Sequence, residues 1–191
     1  MDDIKLDTKQ NLNVGNLFSI PFCKTSVQNF TEKKQKLINL FKPFDEKKND
    51  EQLANFNSNR YNTELVNKEF TDILSDELQS IVNAFKIDFY VSDVWSVTYK
   101  ENGYHPIHNH GSVGLSCILY LTLPTDAPKT SFLQPWNNFL TDKTPYAVLD
   151  VKEGDILVVP SFVNHFTQQN KSKSEKRIIS WDMKDASTIN R

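Results

Sequence analysis

The chain has 191 residues, 38% of them hydrophobic and 12% aromatic, which suits one globular domain with a real core. Its 22 Lys and Arg against 24 Asp and Glu give a net charge of −2, so no electrostatic case exists for a nucleic-acid or membrane-surface partner. Two cysteines, Cys23 and Cys117, are too few for a disulfide framework and form no metal-type spacing, and a reducing cytosol is the expected setting. The opening MDDIKLDTKQ is acidic and polar, and no 18-residue apolar run follows, so neither a signal peptide nor a membrane span is expected.

Residues 1–13 read as flexible. NLFSIPFCKT (16–25) reads as a short strand that Pro21 confines to an edge. TEKKQKLINLFK (31–42) reads as a helix with Thr31 as N-cap. Residues 43–62 are polar, Asn-rich and aperiodic, hence a loop. From 64 to 86, Leu65, Phe70, Ile73, Leu74, Leu78, Ile81, Val82 and Phe85 keep helical spacing, which predicts one amphipathic helix laid on a sheet.

After Lys86 the texture becomes β. FYVSDVWSVTYK (89–100), GLSCILYLTLP (114–124), KTSFLQP (129–135), PYAVLDVK (145–152), GDILVVPS (154–161), VNHFTQQN (163–170) and KRIISWDM (176–183) follow at short intervals. The expected fold is therefore mostly β with N-terminal helices. It is a double-stranded β-helix, the cupin-like jelly roll, whose core spans 88–185 behind a strand and support helices in 1–87, all in one domain over 1–191. Cys117 sits in an apolar run and reads as a small core residue.

All four histidines fall in two places: His105, His108 and His110 in YHPIHNHG, and His165 in VVPSFVNHF. A His-x-His on a strand turns both rings to one face, and a His from a neighbouring strand completes a three-nitrogen metal site. His108, His110 and His165 are the metal ligands this pattern predicts, while His105 has the opposite parity and is expected to point elsewhere unless a turn at Pro106 redirects it into the site. Three imidazoles leave coordination positions open for substrate or oxygen, and the lack of Cys ligands argues against a structural zinc. Arg177, twelve residues past His165, offers a planar fork for a carboxylate.

With these residues in place, the chain resembles the Fe(II)/2-oxoglutarate-dependent oxygenases. More narrowly it resembles the 2-oxoglutarate/Fe(II) oxygenase family of tailed phages and marine bacteria, which is prolyl-hydroxylase-like. The stretches that carry the resemblance are VWSVTYKENGYHPIHNHG, LSCILYL, EGDILVVPSFVNH and KRIISW, about residues 90–183. It implies Fe(II) on His108, His110 and His165, with no catalytic residues beyond these ligands. Arg177 would meet the distal carboxylate of 2-oxoglutarate, and Tyr120 and Tyr99 would face the same co-substrate. It also implies O2 as second co-substrate, and hydroxylation of an unknown protein or small-molecule substrate, for example a prolyl residue. If phage-encoded, the chain would work in the host cytoplasm. Two departures stand out: His110 occupies the usual Asp or Glu position, and Cys117 replaces the Gly expected after Ser116, which would reshape the pocket wall. Two other readings stay open: a cupin-type three-histidine metalloprotein that does not use 2-oxoglutarate, and a non-enzymatic jelly-roll module.

Overall fold

The computed structural model describes residues 19–45, 56–61, 64–86 and 88–188. The flexible reading of 1–13 lies outside them, as do 16–18 of the expected first strand and 46–55 and 62 of the expected loop. The elements run β1 (Cys23–Ser26), α1 (Phe30–Asp45), β2 (Phe56–Tyr61), α2 (Glu64–Ile73), α3 (Ser75–Phe85), β3 (Phe89–Tyr99), β4 (His105–His108) and β5 (Leu115–Thr122). They continue β6 (Thr130–Leu133), β7 (Tyr146–Val148), β8 (Asp155–Pro160), β9 (His165–Thr167) and β10 (Lys176–Asp185), with a final 3-10 turn (Ala186–Thr188).

The strands form two antiparallel sheets in the orders β1-β8-β5-β10-β3-β2 and β4-β9-β6-β7. From β3 onward the chain passes back and forth between the two sheets, which is the double-stranded β-helix the strand pattern predicts. Strict alternation divides the apolar residues. Ile156, Val158, Ile179, Trp181 and Met183 face outward and pack with Phe41, Phe70, Leu74 and Ile81 of the helices. Leu157, Val159, Ile178, Tyr120 and Trp95 face inward, toward Phe132 of the smaller sheet. Central β5 is covered on both faces, so LSCILYL reads as an unbroken apolar run.

Three local expectations change. Helix α1 begins at Phe30, and the carbonyl of Asn29 accepts from the N–H groups of Glu32 and Lys33, so Asn29, with φ 51°, takes the capping place foreseen for Thr31. The periodic stretch 64–86 is two helices that break at Leu74, although Phe70, Leu74, Leu78 and Ile81 stay on one buried face. Acidic Asp76 and Glu77 then favour a fresh helix start. Glu77 is buried and accepts from Lys33 Nζ at 2.7 Å and from the Gln28 N–H at 2.8 Å, which ties α3 to α1. Finally, the Asn-rich stretch expected to be a loop contains β2, an edge strand that pairs with β3 from Phe56 to Tyr61. Pairing there is made by backbone hydrogen bonds, which need no apolar alternation.

Candidate metal and co-substrate site

The histidines meet at one end of the space between the sheets. His108 ends β4 and His165 begins β9, where the two residues pair directly. His110 lies two residues past β4, in the 109–114 loop, held by its N–H to the Ser161 carbonyl at 2.9 Å. The expected shared strand face is therefore not what aligns His108 with His110. A strand end and an anchored loop do it. Gly114 closes this loop with φ 104°, and a Cβ there would come within 2.5 Å of the Met183 carbonyl oxygen, so only glycine lets β5 start this close to β10.

One potential ligand atom from each of His108, His110 and His165 lies within 4.8 Å of the others. The ring centroids are 4.3 Å apart for 108 and 165, 5.1 Å for 110 and 165, and 5.4 Å for 108 and 110. Each ring already commits the same nitrogen. His108 Nδ1 donates to the Pro106 carbonyl at 2.9 Å and His165 Nδ1 to the Val163 carbonyl at 3.0 Å. His110 Nδ1 donates to the Asp182 carboxylate at 2.5 Å. A carbonyl or carboxylate can only accept, so Nδ1 carries the proton and Nε2 carries the lone pair in all three rings. That is the tautomer a three-imidazole metal site requires, fixed by acceptors behind the ring. Burial, with the nearby His108 and His110 adding to it, holds His165 neutral down to about 3.

His105 is not turned away. It pairs with Thr167 while His108 pairs with His165, so three steps on β4 match two on β9. This bulge at Pro106 and Ile107 resets the parity and brings the His105 ring inward, stacked 3.9 Å from His108. Burial lowers its pKa to about 3. Its nitrogens are not in the ligand cluster.

The same narrow pocket runs from the histidines past Trp95, Val97, Tyr99, Ile118, Thr130, Thr167, Ile178 and Ser180. Arg177 does not reach it. The register with β3 puts Arg177 on the side of Ser96, and Nη2 donates to the Ser96 hydroxyl at 3.2 Å. That face of β10 looks at the helices. Lys176, one residue earlier, has the inward parity and is fully buried. Its Nζ donates to the Pro128 carbonyl at 2.8 Å, lies 4.8 Å from the Tyr99 ring and 5.7 Å from the Tyr120 ring, and among the described residues no carboxylate pairs with it. Burial lowers its pKa to about 7. Tyr99 lines the pocket, its hydroxyl 3.4 Å from His105 Nδ1, and burial raises its pKa. Tyr120 is buried beside it, accepts from the Thr130 N–H at 3.4 Å, and is raised for the same reason.

Of the neighbouring pair, sequence reasoning singled out Arg177, whereas Lys176 is the one on the inward side of β10, and it did not single out Asp182. Cys117 is buried among the outward-facing residues and does not shape the pocket wall. Three large aromatics lie away from this pocket: Trp181 packs on Phe70 in the outer layer, Phe139 is exposed, and Trp136 lines a separate apolar cleft. Among the described residues no helix is long and apolar enough to cross a membrane.

Residues 93–182 match the profile of a family described as "Putative 2OG-Fe(II) oxygenase". No curated protein matches the chain. Among solved structures, a 2OG-Fe(II) oxygenase family oxidoreductase from Burkholderia pseudomallei aligns with TM-score 0.65 and 10% identity, covering 85% of this chain and 84% of that one. A prolyl-4-hydroxylase from Pseudomonas putida aligns with TM-score 0.59 and 11% identity, covering 88% and 95%. A viral collagen prolyl hydroxylase from Paramecium Bursaria Chlorella virus-1, solved as its 2OG complex, aligns with TM-score 0.56 and 16% identity, covering 86% and 96%. Over residues 93–182 the chain is thus similar to the 2OG-Fe(II) oxygenase family, and it shares its fold with these enzymes.

Proposed function

We propose that this chain is an Fe(II)- and 2-oxoglutarate-dependent dioxygenase in which His108, His110 and His165 hold the metal and Lys176, not Arg177, receives the distal carboxylate of 2-oxoglutarate. The donor set suits Fe(II): three neutral imidazoles, each presenting Nε2, with further positions left for a chelating keto acid and oxygen. Bound there, iron and 2-oxoglutarate supply the oxidising chemistry, in which O2 is consumed, the keto acid becomes succinate and CO2, and a substrate C–H is hydroxylated.

The observation that carries the reading is Lys176. An ammonium that is fully buried, with carbonyl and ring contacts but, among the described residues, no acid, is costly to keep charged. A carboxylate entering the pocket pairs with it and favours its charged form. Tyr99 and Tyr120 flank that ammonium, and their rings exclude water from it. His105 stacks on His108 and limits its tilt. The chain's own work is to hold, orient and desolvate the two bound groups.

Peptidyl proline is the first substrate class to assay, since two of the similar structures are prolyl hydroxylases. The two thiols are unpaired, which suits a cytosolic setting. The test is a thermal-shift series under anaerobic conditions. Fe(II) alone raises the melting temperature, 2-oxoglutarate adds to it only with metal present, and His165→Ala removes both effects. A rise with metal and no further rise with the keto acid would favour the cupin-type alternative.

A further inference from the structure

Non-haem Fe(II) oxygenase sites that pair two imidazoles with one carboxylate leave the ion with one net positive charge, whereas three neutral imidazoles leave it with two. The three histidines here are not equivalent in that respect. His108 and His165 give their Nδ1 protons to neutral backbone carbonyls. His110 alone gives its proton to an anion, Asp182, on the inward face of β10. The contact is enclosed: the two side chains are 6% and 9% exposed, the Trp95 ring lies 5.2 Å from the imidazole, and the Ser116 hydroxyl is 3.3 Å from the same nitrogen. In such a setting a hydrogen bond to a carboxylate is stronger than one to a carbonyl and draws the ring toward imidazolate character.

We infer that Asp182 is the anionic member of the metal centre, a positioning residue that acts through His110, aiming its Nε2 and supplying through the ring the negative charge that a carboxylate ligand would otherwise bring. This rests on His110 being a metal ligand. It separates the present site from one in which three histidines simply replace the carboxylate at a cost in charge.

The test uses the full chain. Asp182→Asn keeps the shape and a carbonyl acceptor and removes the charge. Its Kd for Fe(II), from anaerobic competition with a chelating dye, rises about 10- to 100-fold, and its Fe(III)/Fe(II) potential rises, because a charge that favours the ferric ion is gone. In the His110→Asp background the charge already sits in the ligand position. There Asp182→Asn tightens Fe(II) binding, since two touching carboxylates repel. Unchanged affinity and potential, or equal weakening in both backgrounds, overturns the inference and leaves the proposed oxygenase standing. A wild-type chain that binds no stoichiometric Fe(II) overturns both. If Asp182→Asn does not fold, the zinc-loaded wild type decides by NMR. The His110 Nδ1 proton resonates well downfield of those of His108 and His165, and coincident resonances overturn the inference.

Discussion

The two faces of β10 do different work with alternate residues of one ten-residue strand. Outward, Arg177, Ile179, Trp181 and Met183 meet β3 side chains and the helices. Inward, Ile178 and Ser180 line the pocket, with Lys176 buried at one end of the row and Asp182 bonded to the His110 ring at the other. The strand thus carries a buried cation at one end of the site and a buried anion at the other, while its back supplies the core. One step of register separates stability from chemistry.

The sharpest way to break this contrast is on the outer face. Trp181→Ala removes a fully buried ring packed on Phe70 and lowers stability by about 3–5 kcal/mol in denaturant melts, while the affinity of the folded fraction for 2-oxoglutarate stays within threefold of wild type. On the inner face the outcome inverts. Lys176→Met weakens 2-oxoglutarate binding by about 2–3 kcal/mol, roughly 30- to 150-fold by calorimetry, yet melts no lower than wild type because an uncompensated buried cation is gone.

A pH series refines the same point. Burial lowers Lys176 to about 7, and a carboxylate binds its protonated form, so the site is charged below that value and loses its charge above it. The apparent Kd for 2-oxoglutarate therefore rises about tenfold from pH 6 to pH 8, and Lys176→Met flattens the profile. A smaller effect is expected of Tyr99→Phe, which loses the hydroxyl near His105 and weakens 2-oxoglutarate binding roughly 2- to 10-fold. Smallest of all is Arg177→Ala, with 2-oxoglutarate affinity within about twofold of wild type, since its guanidinium bonds Ser96 on the far side of the sheet.

The strand succession and the convergence of His108, His110 and His165 were legible because their signals are compositional: β-rich runs between turns, and four histidines in two clusters. What escaped depends on register. Lys176 and Arg177 are neighbours of like charge, and only the pairing of β10 with β3 and β5 says which one turns inward. The fork geometry of arginine made it the natural choice, but chemistry does not decide direction. Strict alternation turns His105 away, and it is the irregularity at Pro106 and Ile107, the alternative the proline left open, that brings the ring inward. Asp182 gave no local signal, since its partner is 72 residues away. The polar stretch that forms β2 and the helix break at Leu74 are tertiary outcomes that periodicity does not encode.

The central claim is that three imidazoles and one buried ammonium form a single pocket for a metal and a dicarboxylate. Anaerobic calorimetric titration of 2-oxoglutarate into the wild-type chain, with and without one equivalent of Fe(II), addresses it directly. The account predicts saturable one-to-one binding with the metal present and at least a tenfold weaker Kd without it. Equal binding in both, or none in either, would contradict it.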